Sequence, residues 1–272
     1  MHKIIRARKG LAQLNLGEIW EYRELIVFFA WRDVLVRYKQ TVIGVLWALL
    51  RPFLTIVIFS IVFGRFAQVP TGTIPYPVLA LAGLLPWQLF ATAFSESSGS
   101  VVGNAQLVSK VYFPRLIMPL SGIVASLADF LVALGMLAAL MAWYRVPVSA
   151  TIFWMPLFLL LCLLVALGTG VWFAALYVRY RDIRHVIPFI VQLGLYISPV
   201  GFPSSVVPER WRFLYSLNPM VGVIDGFRWS LFGGRNPIYM PGLTISIVLA
   251  IVIVIGSAYY FRHMERLFAD II

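Results

Sequence analysis

Three ionisable residues lie within or at the edge of long apolar stretches of the chain: Arg51, Glu96 and Asp129. A charged side chain inside a bilayer is costly and is therefore a candidate for function. Two interpretations of Arg51 stay open: its guanidinium extends to the lipid headgroups, or it lines an internal polar cavity. Asp129 is compatible with a structural hydrogen bond between helices and with a functional role, whereas Glu96 is expected at the membrane interface.

Residues for common enzymatic chemistry are scarce. A phosphate-binding Walker loop needs a lysine followed by Ser or Thr, and no lysine of this chain precedes either: Lys3, Lys9, Lys39 and Lys110. The histidines are far apart in sequence and poorly placed for zinc or a catalytic triad: His2, His185 and His263. The single cysteine, Cys162, allows no disulfide within one chain. We therefore expect no catalytic residues, no metal site and no cofactor in this chain.

The composition indicates an integral membrane protein. Of 272 residues, 61% are hydrophobic and 12% are charged, and the mean hydropathy is +0.89. A water-soluble fold needs more polar surface than this. Because a chain in lipid must satisfy its backbone hydrogen bonds internally, the apolar stretches are predicted to be helices. The net charge of +11 is compatible with nucleic-acid binding, but the basic residues flank the apolar stretches, which fits membrane orientation better.

Six apolar stretches are long enough to cross a bilayer, with boundaries near 43–65, 76–98, 116–143, 152–178, 186–203 and 241–261. An even number of spans places both termini on one side. Fifteen Lys and Arg residues outside the spans then lie on that side and six on the other, which predicts cytosolic termini. The basic start of the chain lacks the apolar core of a signal peptide, so retention of the N-terminus is expected.

Residues 18–39 have no apolar run long enough to span a membrane. On a helical wheel five of them form one stripe: Trp20, Val27, Trp31, Val34 and Tyr38. This pattern predicts an amphipathic helix in the interface plane. Packing beneath the spans is an alternative that fits the same pattern.

The connection over 204–240 contains a charge-free run, 213–224, that is too short to cross a membrane and too apolar for a free loop. A re-entrant or interfacial helix pair fits it. The predicted fold is an all-α membrane protein: six transmembrane helices, an N-terminal amphipathic interface helix and a re-entrant helical hairpin before the last span. Residues 1–272 form one membrane domain, with cytosolic segments at 1–42 and 262–272 and the spans over 43–261.

The loop between the second and third spans has a short helical pattern. In "NAQLVSKVYFPR", residues 104–115, Leu107, Val108 and Val111 share a face that excludes Lys110. Such a face could bind a soluble partner. The segment could equally be a connector lying among the headgroups, and the pattern alone does not choose.

Aromatic residues make up 15% of the chain. Two groups share a helix face: Phe59, Phe63 and Phe66 in the first span, and Phe189 and Tyr196 in the fifth. Further rings lie near the outer boundary and would extend a sugar-stacking surface: Trp87, Phe202 and Trp211. An ordinary interfacial belt and helix packing explain the same pattern.

Four segments, in order, resemble the membrane subunit of type 2 ABC exporters, and most closely the permeases for O-antigen and capsular polysaccharide: "RDVLVRYKQTVIGVLWALLRPFLTIVIFSIVFGRF" (32–66), "NAQLVSKVYFPRLIMPL" (104–120), "VRYRDIRHVIPFIVQLGLYISPVGFP" (178–203) and "LNPMVGVIDGFRWSLFGG" (217–234). The resemblance covers nearly the whole chain. It implies a homodimer that binds two copies of a separate ABC ATPase subunit, which carries ATP and Mg. The complex would export lipid-linked polysaccharide across the bacterial inner membrane.

The resemblance also implies roles for individual residues. Residues 104–115 resemble a coupling helix that docks on the ATPase, and residues 179–185 a second cytosolic contact. The implied ATPase-coupling residues are Leu107, Val108, Lys110, Val111, Tyr112, Arg179, Arg181 and Asp182. Residues 18–39 resemble the interface helix, and the first and fifth spans would line the conduit. The implied translocation path comprises Arg51, Phe59, Phe63, Phe189, Tyr196 and Phe202. At Arg51 the chain departs from the neutral polar residue common in the family.

Other functions fit the sequence less well. A secondary transporter or channel requires an internal relay of ionisable residues or paired broken helices, and the charges here are sparse. A membrane-embedded transferase requires a cluster of His, Asp or Cys that the sequence does not offer. Among ABC exporters, those for teichoic acid, glycolipids or small molecules stay open, as do the sugar and its lipid carrier.

Overall fold

The computed structural model describes residues 16–39, 44–235, 237–265 and 268. The predicted cytosolic segments at the two ends lie partly outside these residues. The helices are α1 (Leu16–Glu21), α2 (Arg23–Lys39), α3 (Gly44–Phe59), α4 (Tyr76–Gly103), α5 (Ala105–Lys110), α6 (Ile117–Trp143), α7 (Met155–Arg179), α8 (Ile183–Ile197), α9 (Glu209–Tyr215), α10 (Pro219–Phe232) and α11 (Met240–Glu265). A π-helix, Ser60–Phe66, continues α3, and a 3₁₀ turn, Ala150–Trp154, precedes α7.

Among the described residues, five helical segments are long and apolar enough to cross a membrane: Leu49–Phe66, Tyr76–Gly103, Ile117–Trp143, Ala150–Arg179 and Met240–Glu265. They match predicted spans one to four and six, and the all-helical prediction is confirmed for this part of the chain. The predicted fifth span is reproduced only in part. Its helix, α8, has 15 residues and ends at Ile197, whereas a perpendicular span needs about 20. The count of six spans therefore stays a prediction.

Helix α4 is the central helix of the molecule. Within its most apolar window 78% of the residues are buried by the rest of the chain, compared with 11% to 33% for the other four long helices. It packs between α6 and α7. Glycines bring these helices close, because Gly170 of α7 lies directly against Ser97 and Gly122 of α6 against the backbone of Glu96. Helix α4 is therefore the central helix against which α6 and α7 pack.

The buried apolar side chains form two clusters. The larger one surrounds α4 between α6, α7 and α10. The second, which we call the basal core, joins the ends of several helices: Phe29, Val101, Val108, Phe113, Leu116, Ile117, Met118, Val171, Ala174, Ala175, Val178, Phe261, Met264 and Phe268. These residues belong to α2, α4, α5, α6, α7 and α11 and the segments next to them. The basal core therefore fixes α2, α5 and the end of α7 at one end of the molecule.

The connection between α8 and α11 folds as the helix pair α9 and α10. The N-cap of α10 is Asn218, whose side chain accepts a hydrogen bond from the Met220 amide at 3.0 Å, and Pro219 occupies the first turn. Almost every residue of α10 is buried, between α4, α7 and α11. A helix pair is therefore present in the predicted segment, while its re-entrant course in a membrane stays a prediction.

The closest helix contact yields a stability prediction. A methyl group added at Gly226 of α10 would overlap the ring of Phe158, a buried residue of α7. Overpacking of this kind costs about 1–3 kcal/mol, so we expect Gly226→Ala to lower the thermal unfolding temperature of the purified protein. The matched control is Gly135→Ala on α6, where a methyl group meets open space. Equal unfolding temperatures for the two variants would contradict the close packing of α7 and α10.

Candidate functional site

A cavity of about 800 Å³ opens between α2, α3, α4, α6 and α8. We call it the charged cavity, because four charged side chains line it: Arg37, Arg51, Glu96 and Asp129. Six further lining residues are polar or aromatic: Tyr38, Thr55, Trp87, Gln88, Thr92 and Ser95. Most of the remaining lining is apolar and comes from α4, α6 and α8. Two cations and two carboxylates balance formally, so the cavity combines polar surface with little net charge.

Arg37 joins α2 to two other helices. Its guanidinium donates hydrogen bonds to the Asp129 carboxylate on α6 and, at 2.6 Å, to the Glu96 carboxylate on α4. The Tyr38 hydroxyl donates to the second oxygen of Asp129. Burial, and then this hydrogen bond, raise the pKa of Tyr38 to about 12, so the hydroxyl keeps its proton at neutral pH. Asp129 therefore forms the hydrogen bond between helices that the sequence allowed, and its partners are on α2.

Arg51 lies on α3 and contributes to the wall of the charged cavity. Of the two interpretations left open by the sequence, this position fits the internal polar cavity. One turn further along α3, Thr55 donates its hydroxyl proton to the Arg51 carbonyl at 2.9 Å. Arg51 as a whole is exposed. Arg51 is therefore available to whatever occupies the cavity.

Arg32 connects α2 to the start of α5. Its guanidinium donates to Asp33 at 2.8 Å and to the side-chain oxygen of Asn104 at 3.0 Å. Asn104 is the residue on which α4 ends and α5 begins. The same guanidinium lies 5.1 Å from the ring centroid of Phe29, a cation–π distance. Helix α2 thus contacts the charged cavity through Arg37 and the α5 segment through Arg32.

The predicted coupling residues of the α5 segment divide between core and surface. Lys110, Val111 and Tyr112 are exposed, with 52% exposure for Val111 and 67% for Tyr112. Val108 is only 7% exposed and belongs to the basal core, and Leu107 packs against that core. This chain therefore covers Val108 and part of Leu107 and leaves Val111 exposed, so burial speaks against a direct contact between Val108 and a partner, and the coupling role of the segment stays a prediction.

The second predicted contact lies at the turn between α7 and α8. Arg179, Arg181 and Asp182 are all exposed there. Val178, directly before them, belongs to the basal core together with Val108. The structure therefore brings the two predicted coupling segments to the same end of the molecule, although they are far apart in sequence.

The stripe predicted for residues 18–39 is distributed over α1 and α2. Three of its members are more than 60% exposed: Trp20, Val27 and Trp31. Two are half-buried: Val34 and Tyr38. The buried face of α2 carries Phe29 and Ala30 instead, and α2 packs along α6. One face of α2 thus packs against the long helices, which was the alternative left open by the sequence. The placement of the other face in the membrane interface stays a prediction.

The predicted path residues occupy two surfaces. Phe59 and Phe63 pack edge to face, with 5.3 Å between ring centroids, where α3 passes into the π-helix. Phe189 and Tyr196 are each 63% exposed on α8. Phe202 lies in the non-helical segment after α8 and is half-buried. The structure therefore leaves the α8 rings available on the surface, while the α3 rings are engaged with each other.

Sequence reasoning missed a fully buried arginine. Arg228 falls within the 204–240 connection, where the sequence gives it no role, yet its side chain is 0% exposed within α10. It donates hydrogen bonds to the backbone carbonyls of Leu79, Pro199, Val200 and Phe202. The available signal was an Asp and an Arg three residues apart in "IDGFR", 224–228, inside an otherwise apolar stretch. Charges there require partners inside the fold.

A match to a known protein family identifies the kind of protein that contains the charged cavity and the α5 segment. The model of the family described as ABC-2 type transporter matches residues 24–232. The chain belongs to the ABC-2 type transporter family. The ABC-2 region runs from α2 to the end of α10 and contains the charged cavity, the α5 segment and Arg228. The protein is thus a multi-pass membrane permease.

Relatives of this ABC-2 protein align over nearly their whole length. The O-antigen export system permease protein RfbA of Klebsiella pneumoniae is 27% identical over 259 residues, which cover 95% of this chain and 97% of that protein. The RfbA protein of Myxococcus xanthus is 27% identical, over 92% of this chain and 96% of its own. The polysialic acid transport protein KpsM of Escherichia coli is 26% identical, over 87% and 92%.

Proposed function

We propose that this chain is the transmembrane subunit of an ATP-driven exporter that moves lipid-linked polysaccharide of the O-antigen or capsule type across the bacterial inner membrane. The observation that carries the proposal is the near end-to-end alignment with permeases named for O-antigen export, polysialic acid transport and capsule polysaccharide export. The family match over residues 24–232 includes α5 and nearly all of α2, the parts that would couple to an energy source.

The proposed assembly is a homodimer with two copies of a separate ABC ATPase subunit, which holds ATP and Mg. The docking surface on this chain consists of Lys110, Val111 and Tyr112 together with the turn Arg179, Arg181 and Asp182, which are exposed at the same end. That end would face the cytosol, along with both termini. Helix α8 would serve as the sixth membrane segment, α9 and α10 as the re-entrant pair, and α2 as the interface helix.

The proposed coupling runs through side chains of this chain. Closure of the ATPase pair would press on the α5 segment, and the hydrogen bond from Arg32 to Asn104 would pass the movement to α2. Arg37 would then pass it to α4 and α6 through Glu96 and Asp129. Since all of these contacts are charge-assisted, they resist separation better than neutral hydrogen bonds do.

The proposed conduit lies along α3 and α8, between the two protomers. Phe189 and Tyr196 present exposed rings on α8, and sugar rings stack on aromatic faces through their C–H groups. The formally balanced charged cavity suits a neutral, hydroxyl-rich polymer. Arg51 would meet the substrate at one end of this path, with Phe59, Phe63 and Phe202 along it.

Reconstituted vesicles test the proposal. The permease with its ATPase subunit should move lipid-linked polysaccharide only when ATP is present on the ATPase side, and the permease alone should move none. Replacing both Phe189 and Tyr196 by Ala should slow export about fivefold, since aromatic stacking contributes about 1 kcal/mol. The control is Phe153→Ala, an 88% exposed ring outside the proposed path. Export by the permease alone, or without ATP, would contradict the proposed function.

A further inference from the structure

The chain leaves helical geometry at the C-terminal end of α8. Ser198 has an extended backbone, with φ −84° and ψ 154°, and the next helical turn begins at Ser204. Residues 198–201 are nevertheless buried. Irregular backbone at membrane depth is tolerated only where protein groups satisfy its hydrogen bonds. The Ser198 carbonyl accepts from the Val200 amide at 2.7 Å. The carbonyl groups of 199–202 need donors from elsewhere in the fold.

Two side chains supply these donors. Arg228 donates through Nη1 to the carbonyls of Pro199, at 2.7 Å, and Phe202, at 3.0 Å, and through Nη2 to that of Val200, at 2.7 Å. The hydroxyl of Tyr76 donates to the Gly201 carbonyl at 2.7 Å. Four successive carbonyls, 199–202, are thus bound by one guanidinium and one phenol. The segment is held as a unit by side chains from α10 and α4.

The same guanidinium is anchored to α4. Its Nε and Nη2 donate to the Leu79 carbonyl at 3.2 and 3.1 Å. Nε, Nη1 and Nη2 therefore all engage carbonyl oxygens, which a lysine with three donors at a single point could not reproduce. A side chain at Gly83 would overlap Nη2 of Arg228, and it would stand 2.7 Å from the Val200 carbonyl. The glycine leaves the space in which the guanidinium lies.

The rest of α8 is packed along one side only, where Ile183, Ile190, Val191 and Leu195 lie partly buried against the larger core cluster. Among its residues Ile187 is the buried one, and its outer face is exposed at Phe189, Leu193 and Tyr196. Its N-terminal end follows the exposed turn Arg181–Asp182. Near its C-terminal end Gly194 also lies directly against Trp87 of α4. A helix that is fixed at this end and packed on only one side elsewhere can tilt about the fixed end.

We propose that Arg228 is a positioning residue: it fixes the C-terminal end of α8, so that α8 tilts about this end during transport. The fixing of α8 follows from the contacts of Arg228, whereas the tilt during transport rests on the proposed function. Loss of the guanidinium would leave four backbone carbonyls, those of 199, 200, 202 and Leu79, without the donor that binds them, while the Tyr76 hydroxyl would still donate to the Gly201 carbonyl.

Spin labels on α8 in the complex with the ATPase subunit test the proposal. With Cys162 replaced by Ala, a label is placed at Tyr196, near the fixed end, or at Phe189, nearer the free end. In Arg228→Lys we expect the mobile fraction at position 196 to rise at least threefold and that at 189 to change little. In unlabelled Arg228→Lys complexes that retain Phe189 and Tyr196, ATP-driven export per assembled complex should fall at least tenfold while ATP hydrolysis continues.

The matched control is Arg212→Lys on α9, an arginine that also donates to backbone carbonyls, those of Val207 and Ser205. It should leave the label at 196 unchanged. If Arg228→Lys does not assemble, Tyr76→Phe, which removes one hydrogen bond of the same segment, should raise the mobile fraction at 196 about twofold. Unchanged labels in every variant that assembles would overturn the proposal. The label measurement needs no exported polymer. A wild-type complex that exports nothing would refute the proposed function, while the labels would still test whether Arg228 fixes the end of α8.

Discussion

Replacing Val111 and Tyr112 together by Asp is expected to abolish copurification of the permease with the proposed ATPase subunit. Both side chains are more than half exposed next to α5, so the carboxylates would meet a partner surface rather than the core. Losing two central apolar contacts and burying charge at an interface costs about 3 kcal/mol or more, roughly a hundredfold in Kd. The measurement is affinity purification of one subunit followed by quantification of the other.

The control for this experiment places the same substitutions at another exposed site. Tyr144 and Val148 follow α6, and both are exposed. Their double replacement by Asp should leave copurification intact. Val108 is unsuitable as a probe, because a carboxylate there would disrupt the basal core and confuse misfolding with lost binding. Normal copurification of the Val111 and Tyr112 variant, inserted at normal levels, would remove the docking assignment.

Asp129→Asn is expected to lower ATP-driven export at least tenfold in correctly assembled complexes. The carboxylate accepts hydrogen bonds from both Arg37 and Tyr38 and so holds α2 on α6. Removing its charge weakens two charge-assisted hydrogen bonds, each contributing about 1.5–3 kcal/mol before solvent screening reduces it. Helix α2 would then follow the α5 segment without moving α6. Export in vesicles, normalised to ATPase-bound permease, measures the effect.

A comparison with Glu96 and a double-mutant cycle test whether the loss of export comes from the contact between Arg37 and Asp129. Glu96 is 45% exposed, against 28% for Asp129, and it accepts from Arg37, so Glu96→Gln should cost less than Asp129→Asn. Combining Arg37→Gln with Asp129→Asn should be hardly worse than either change alone, because both remove the same contact. Fully additive losses would show that the two residues act independently and would refute coupling through this pair.

Local features of the sequence were sufficient to predict the membrane helices. The five long helices were found because an uninterrupted apolar run of sufficient length has few alternatives to a membrane helix, and their ends agree with the predicted boundaries to within several residues. The helix pair in 204–240 was indicated in the same way, by a run too short to cross. The π-helix after Phe59 was not predicted, since it has no distinctive composition.

The contacts that make up the candidate site required the tertiary structure. Arg37 and Asp129 are 92 residues apart in sequence, and nothing in the local pattern pairs them. Val108 looked available on a helical wheel, but a wheel shows which residues share a face and not which neighbouring element covers it. In the same way, the predicted helix pair of 204–240 contained Arg228 without indicating which elements bury it.

The sequence by itself therefore determined the all-helical membrane class, the approximate position of the long helices and the resemblance to ABC exporters, because hydropathy and family motifs are properties of contiguous residues. The tertiary structure alone decided that α4 is central, that α2 bridges the charged cavity and the α5 segment, and that Arg228 holds the end of α8. Each of these features depends on contacts between side chains from distant segments. A buried charge or carbonyl is stable only when a hydrogen-bond partner lies beside it.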